Sequence, residues 1–249
     1  MIPKVSIGYF IESEDDFEFV ERVTFGGLVY CHVSFYERAS MEKYYEQCLP
    51  FVDSINSIHL CKDLHLDDFK KGGLVNEVHE VTQAKFYNLH PWADGLDDIV
   101  QEVIENADYT LCLENFGLKH GRYKGNPIFL LTKYGRYMLE SEKIRLTIDL
   151  SHLENDVANY TFVKSLLPMS KLMHVSCRVG KAQHQHIFTG NSDVNARNIV
   201  GQTLSLPECF IDEFILEYMK GLQQRAQLLK HAEWLKDVIQ AKRRKFKDG

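Results

Sequence analysis

Several things are scarce in this sequence, and each shortage excludes a class of protein. No stretch approaches the ~18 consecutive apolar residues that a membrane-crossing helix needs. The opening MIPKVSIGYFIESEDD turns acidic before an apolar signal-peptide core can form, so a cytoplasmic location is the expectation. Only six prolines occur, and no Ser- or Gly-rich tract marks a linker, so residues 1–249 read as one domain. The six cysteines (Cys31, Cys48, Cys61, Cys112, Cys177 and Cys209) form no C-x-x-C pair. They read as reduced core thiols, not as a disulfide framework or a zinc ribbon. No G-x-G-x-x-G or G-x-x-x-x-G-K-[ST] is present, which counts against a doubly wound nucleotide-binding sheet. Positive charge is also short: 29 Lys+Arg against 35 Asp+Glu leave a net −6, with no general attraction to nucleic acid.

What is present is an alternation. Eight short apolar runs rich in β-branched and aromatic residues begin at Lys4, Leu28, Ile55, Lys85, Tyr109, Ile144, Lys171 and Glu213. They end at Phe10, Tyr36, Leu60, His90, Phe116, Leu150, Ser176 and Tyr218. Near-continuous apolarity suits parallel strands covered on both faces. Amphipathic segments separate them. Leu96, Ile99, Val100, Val103, Ile104 and Ala107 follow the spacing of one helix face. A last helix is expected over about 219–243, running into a basic tail at 241–249 (AKRRKFKDG). Eight strand–helix units in about 250 residues predict an α/β fold, a single (β/α)8 TIM barrel.

Residues with metal-ligand character collect at the C-terminal ends of these runs. His59 stands near the end of the third, His90 ends the fourth, Glu114 lies near the end of the fifth and Asp149 near the end of the sixth. His152 follows Asp149, His174 is in the seventh, Glu217 is in the eighth, and His184 and His186 lie in the loop after the seventh. All strand C-termini of a barrel meet at one rim, where the active site sits. Several buried carboxylates at one rim would be forced to protonate unless cations share the space. A divalent metal cluster resolves that conflict. His32 and His65 lie off the pattern and read as structural. Phe10, Phe35, Tyr36, Trp92 and Phe116 flank the rim and can wall a sugar or a base.

These rim motifs resemble the xylose-isomerase-like TIM barrels, the superfamily of sugar isomerases and epimerases and of endonuclease IV. The quartet Glu114, Asp149, His174 and Glu217 matches the metal quartet of both branches, as does D-x-x-H from Asp149 to His152. His59 and His90 match the two further histidines by which the endonuclease IV branch holds another zinc. The segment H-Q-H-I-F-T-G, residues 184–190, resembles that branch's D-x-H-H-x-x-G loop. The resemblance implies that Glu114 bridges two ions. It also implies that His152 and His186 hold a third, with His184 where an Asp is usual. One to three divalent ions are then expected, zinc first, manganese or iron as alternatives.

Two departures bear on the substrate. The family's duplex-reading H-A-P-Y is here His59-Leu60-Cys61-Lys62, without the Tyr, and the first rim loop, FIESEDD, is acidic where DNA contact wants Lys or Arg. Duplex DNA is therefore expected to bind weakly, and a small phosphorylated or sugar substrate is the expected partner, with Arg178, Trp92 and Lys62 as substrate-binding candidates. Three functional readings are open. The first is a metal-dependent hydrolase resembling endonuclease IV that cleaves a phosphoester. The second is a sugar isomerase or epimerase using Glu114 and Glu217 as acid and base. The third is a metal-binding barrel without catalysis.

Overall fold

The computed structural model describes residues 3–24, 29–115, 127–153, 158–179, 182–188, 193–206, 210–219 and 224–247. Phe116, Cys209, the last two residues of the 184–190 segment and the end of the basic tail lie outside these. The strands are β1 (Lys4–Ile11), β2 (Tyr30–Phe35), β3 (Ile55–His59), β4 (Phe86–Leu89), β5 (Thr110–Glu114), β6 (Ile144–Asp149), β7 (Ser170–His174), β8 (Cys177–Val179), β9 (Ala182–Gln185) and β10 (Glu213–Glu217). The helices are α1 (Asp15–Thr24), α2 (Arg38–Tyr44), α3 (Leu66–Phe69), α4 (Leu74–Thr82), α5 (Leu96–Asn106), α6 (Pro127–Glu140), α7 (Ala158–Leu166), α8 (Asp193–Thr203) and α9 (Arg225–Lys247).

Eight strands close into a parallel barrel in the order β1-β10-β7-β6-β5-β4-β3-β2, which is the expected fold. β8 and β9 form a separate antiparallel hairpin after β7. That hairpin is not legible in the sequence, because SCRVGKAQHQ has no apolar alternation. The last helix starts at Arg225, later than the expected 219, and runs to Lys247, so the basic segment continues the helix. Residues 241–247 contain neither Gly nor Pro, so nothing in them stops it. None of the described helices is long and apolar enough to cross a membrane.

Apolar side chains form two clusters. The larger lies where strands meet helices, and holds Ile7, Val33, Ile58, Leu113, Ile148 and Met173 with Val20, Val78, Ile99, Val100 and Leu235. The smaller is Phe86, Cys112, Leu172 and Ile215 alone. Side chains two apart on a strand share a face. Cys112, Leu172 and Ile215 therefore share the barrel's inner face with Glu114, His174 and Glu217. They form an apolar floor one layer beneath the ligand-bearing rim. The five described cysteines are free and buried, as core thiols should be, and burial pushes the Cys48 thiol up to about 12.

Candidate metal centre

Each rim residue is delivered by a strand end. β3 ends at His59, β5 at Glu114, β6 at Asp149, β7 at His174 and β10 at Glu217, while His90 follows β4 directly. Registers pair Asp149 with His174 and Gly8 with Glu217, so neighbouring strands bring their chemistry to the same height. Gly8 makes this possible on β1: a Cβ there would stand 3.3 Å from Cγ of Glu217.

Glu114 is the centre of the arrangement. It is fully buried. Its Oε2 lies 3.2 Å from His59 Nε2 and 3.4 Å from His90 Nε2, and its Oε1 lies 3.2 Å from His152 Nδ1. Asn88 donates to Oε2 at 2.5 Å and fixes the carboxylate's rotation. Burial alone would raise its pKa, but His90, His174, His152 and His59 overcome that and hold the carboxyl well below the usual range. His174 mirrors it. Burial opposes its charge, yet Glu217 at 2.9 Å and Glu114 at 3.7 Å keep its pKa well above the ordinary value. Burial opposes the charge on His152 too, and Asp149 and Glu114 lift it to about 9.

The imidazoles are oriented from behind. His59 Nδ1–H donates to the Leu60 carbonyl at 3.0 Å, and His152 Nδ1–H donates to the Asn115 carbonyl at 2.9 Å. A carbonyl only accepts, so Nε2 is the nitrogen of each ring left to ligate a cation once its proton is displaced. Asn115 also receives the Asp149 backbone N–H at 2.7 Å, and the Asp149 side chain accepts from the Ser151 N–H at 2.6 Å. Such outer partners are how metal ligands are held in place.

Four three-residue groups have ligand atoms within 4.8 Å of one another: His59–His90–Glu114, Glu114–Asp149–His174, Asp149–His152–His184 and His32–His174–Glu217. The residues fit a cation. Glu114 Oε1, Asp149 Oδ2, His174 Nε2, His184 Nδ1 and Glu217 Oε2 are buried without a hydrogen-bond partner. Unsatisfied carboxylate oxygens are costly inside a protein, and a cation is the group that satisfies oxygen and imidazole lone pairs together.

The structure thus brings together His59, His90, Glu114, Asp149, His152, His174, His184 and Glu217. It does not bring His186 to them. His186 is buried against Tyr218 and His231, with ring centres 4.7 and 5.4 Å away, so the expected pairing of His186 with His152 is replaced by His184 with His152 and Asp149. The reason is local. His184 has φ +52°, which breaks the extended alternation of β9 and separates the directions of the two histidines. The Met219 N–H, donating to the His184 carbonyl at 3.1 Å, ties that turn to the end of β10.

His32, expected to be structural, is instead a wall of the centre. Its ring lies 5.3 Å from His174 and 5.9 Å from His59. Burial, then His174 and His59, hold its pKa well below the ordinary value. Its signal was hidden in the middle of LVYCHVSFY, where a lone His resembles core. The other off-pattern histidine, His65, precedes α3, where its backbone N–H donates to Asp68 at 2.8 Å.

Above the cluster a cavity of about 320 Å³ opens between Phe10, Phe35, Tyr36, Leu60, Lys62 and Trp92, with His59, His90, His184 and Glu217 at its base. Trp92 leans on His90 at 4.9 Å, and the Lys62 ammonium lies 4.5 Å above the Tyr36 ring. Arg178, half-buried on β8, does not line this cavity.

No family model and no curated protein matches the chain. Solved structures do. Endonuclease IV from Thermus thermophilus superposes with a TM-score of 0.59 at 14% identity, covering 94% of this chain and 99% of that one. The protein SMc04130 from Sinorhizobium meliloti 1021 superposes with a TM-score of 0.55 at 9% identity, covering 96% and 99%. At these identities the likeness is one of fold: the barrel expected from the sequence is the barrel of endonuclease IV.

Proposed function

We propose that the chain is a metal-dependent hydrolase that cleaves a phosphoester, as the resemblance to endonuclease IV implies. The observation that carries this reading is the pair of ligand groups meeting at Glu114, His59–His90 on one side and Asp149–His174 on the other. One ion is satisfied by about four protein ligands. Eight candidates, Glu114 and seven residues gathered around it, are a surplus unless more than one ion is held. Divalent cations there supply Lewis-acid activation of water and neutralise the charge of a phosphoryl group.

The chain's own residues do the rest. Glu114 bridges the two ligand groups, and Asn88 keeps its Oε2 from rotating away. His59 and His90 serve one side; Asp149, His174 and Glu217 serve the other; His152 and His184 extend it toward the β8–β9 hairpin. Lys62 is the cation among the residues of the cavity wall, suited to an anionic substrate, and Trp92 and Tyr36 offer ring faces to its organic part.

A second reading has one observation in its favour. A cavity of about 320 Å³ walled by aromatic rings is also of monosaccharide size, as a one-ion sugar isomerase using Glu114 and Glu217 for proton transfer would want. Metal content per chain, measured beside turnover of a small phosphodiester, separates the two. Two or three ions with hydrolysis are expected; one ion without hydrolysis moves the assignment to the isomerase. Glu114→Gln is expected to strip metal and abolish turnover while the far-UV spectrum is unchanged. Loss of an outer-sphere partner alone costs about 10–100-fold, so loss of the bridging ligand should exceed that. Full metal content and turnover in Glu114→Gln would refute the role of Glu114.

A further inference from the structure

We propose that His32 is a metal ligand of this centre, reaching an ion shared with His174 and Glu217, and that Ser57 and Glu213 set its ligating tautomer. The inference rests on the metal-centre reading above and adds a residue that the rim motifs do not contain.

His32 lies on β2, whose Cα register pairs it with Gly8 of β1 and Ser57 of β3. It is fully buried. Its Nδ1 is 2.6 Å from Ser57 Oγ, while its Nε2 has no hydrogen-bond partner. The ligand atoms of His32, His174 and Glu217 fall within 4.8 Å of one another. Two of the three, Glu217 Oε2 and His174 Nε2, are themselves buried and without hydrogen bonds. Three such atoms converge from β2, β7 and β10 as a set of potential ligands for a cation.

The chain of partners behind His32 decides which nitrogen carries the proton. Glu213 is fully buried beneath the apolar floor. Its carboxylate accepts from Ser6 Oγ and from the Asn56 amide, and Ser57 is a further hydroxyl that acts to lower its pKa. A carboxylate only accepts, so in this proposal Ser57 turns its single proton toward Glu213. The Ser57 oxygen is then left as an acceptor, and His32 Nδ1–H donates to it. The lone pair of His32 therefore sits on Nε2, the atom without a partner. A carboxylate acting through a hydroxyl onto a ring N–H is the arrangement by which outer partners fix a ligating imidazole. Here it is supplied from the closed end of the barrel.

The test uses the full-length apoprotein titrated with Co²⁺ against a competing chelator, read by affinity and by ligand-field absorption. His32→Leu, which keeps volume in an apolar layer, is expected to weaken the affected ion at least about tenfold and to shift the absorption bands. Ser57→Ala is expected to change both in the same direction, by about 10–100-fold in affinity, and Ser57→Thr, which keeps the hydroxyl, should restore them. A folded His32→Leu with the parent's affinity and spectrum overturns the proposal. If His32→Leu does not fold, Ser57→Ala decides alone: parental affinity and spectrum there overturn it. A parent that takes up no Co²⁺ overturns the metal-centre reading itself. A parent that takes it up and loses it in Glu114→Gln, beside unaffected His32 and Ser57 variants, overturns only the role of His32.

Discussion

Gly8 shows how little room separates a working rim from a distorted one. It pairs with Glu217 across β1 and β10, and a Cβ at Gly8 would lie 3.3 Å from Glu217 Cγ and 3.4 Å from its Cα. Those contacts are tighter than van der Waals packing prefers, so Gly8→Ala must displace Glu217 by a few tenths of an ångström. The barrel itself should tolerate that. Ala gains about 0.4–1 kcal/mol by restricting the unfolded chain, against about 1–3 kcal/mol for overpacking. The proposed metal centre should tolerate it less well, because Glu217 is one of its proposed ligands and is placed by the strand that Gly8 packs against. Gly8→Ala is expected to weaken metal binding about tenfold, as when an outer partner of a ligand is lost, with a small change in melting temperature. Metal titration beside thermal melts checks this, and unchanged affinity would show that Glu217 has more freedom than its packing suggests.

At the scale of elements, strands are more legible in the sequence than the loops and hairpin that join them. The fifth run is read as 109–116 and the strand is Thr110–Glu114; the seventh is read as 171–176 and the strand is Ser170–His174. These are legible because parallel strands buried on both faces are continuous apolar runs, and a single ionisable residue closing such a run is conspicuous. His32 is not legible because it stands inside its run, and Ser57, whose hydroxyl lies 2.6 Å from its Nδ1, is 25 residues away. The direction of His186 is not legible because it depends on one dihedral at His184. That dihedral sends His186 into a wedge with Tyr218 and His231, where Tyr218 Oη is 3.0 Å from His231 Nδ1. Burial, then the neighbouring His186, push the pKa of His231 down to about 4, against 6.5 for an ordinary imidazole. Between those values the unfolded chain holds a proton that the folded chain does not, so this contact loses stability as pH falls from 6.5 toward 4. His231→Phe should remove that component. Denaturation at pH 7 and pH 4.5 should show a larger acid loss in the parent than in the variant; equal losses would mean that α9 opens before the imidazole is charged.

Across the whole molecule, the candidate metal centre is a concentration of charge at one end of a barrel whose net charge is −6. Without metal, the protein neutralises its own rim: Glu114, Asp149 and Glu217 are held as carboxylates and His174 and His152 as imidazoliums, each by the others. Metal binding replaces those protons, since an imidazole must be neutral to ligate. The two states should therefore respond differently to pH. In the metal-free protein, His152 is raised from 6.5 to about 9 and His174 is raised further in the same sense. A raised histidine stabilises the fold fully below the unfolded value and loses that contribution as pH rises through the folded one. The carboxylates are depressed, so their contribution is already complete above about 4.5 and does not change in this window. His32 and His90 are lowered, and are neutral throughout it. The metal-free protein should thus lose stability steadily from pH 6.5 to pH 9. The metal-loaded protein, whose histidines are already deprotonated and satisfied, should not lose that part, and its metal affinity rises over the same interval as proton competition fades. Burial-driven shifts of the core thiols act on both states alike and cancel in the comparison. The gap in melting temperature between metal-loaded and chelator-stripped protein is therefore expected to widen from pH 6.5 to pH 9. Thermal melts of both forms at the two pH values measure it. A gap that stays constant or narrows would mean that the rim histidines are not the groups that metal displaces protons from, and the ligand set drawn around Glu114 would have to be redrawn.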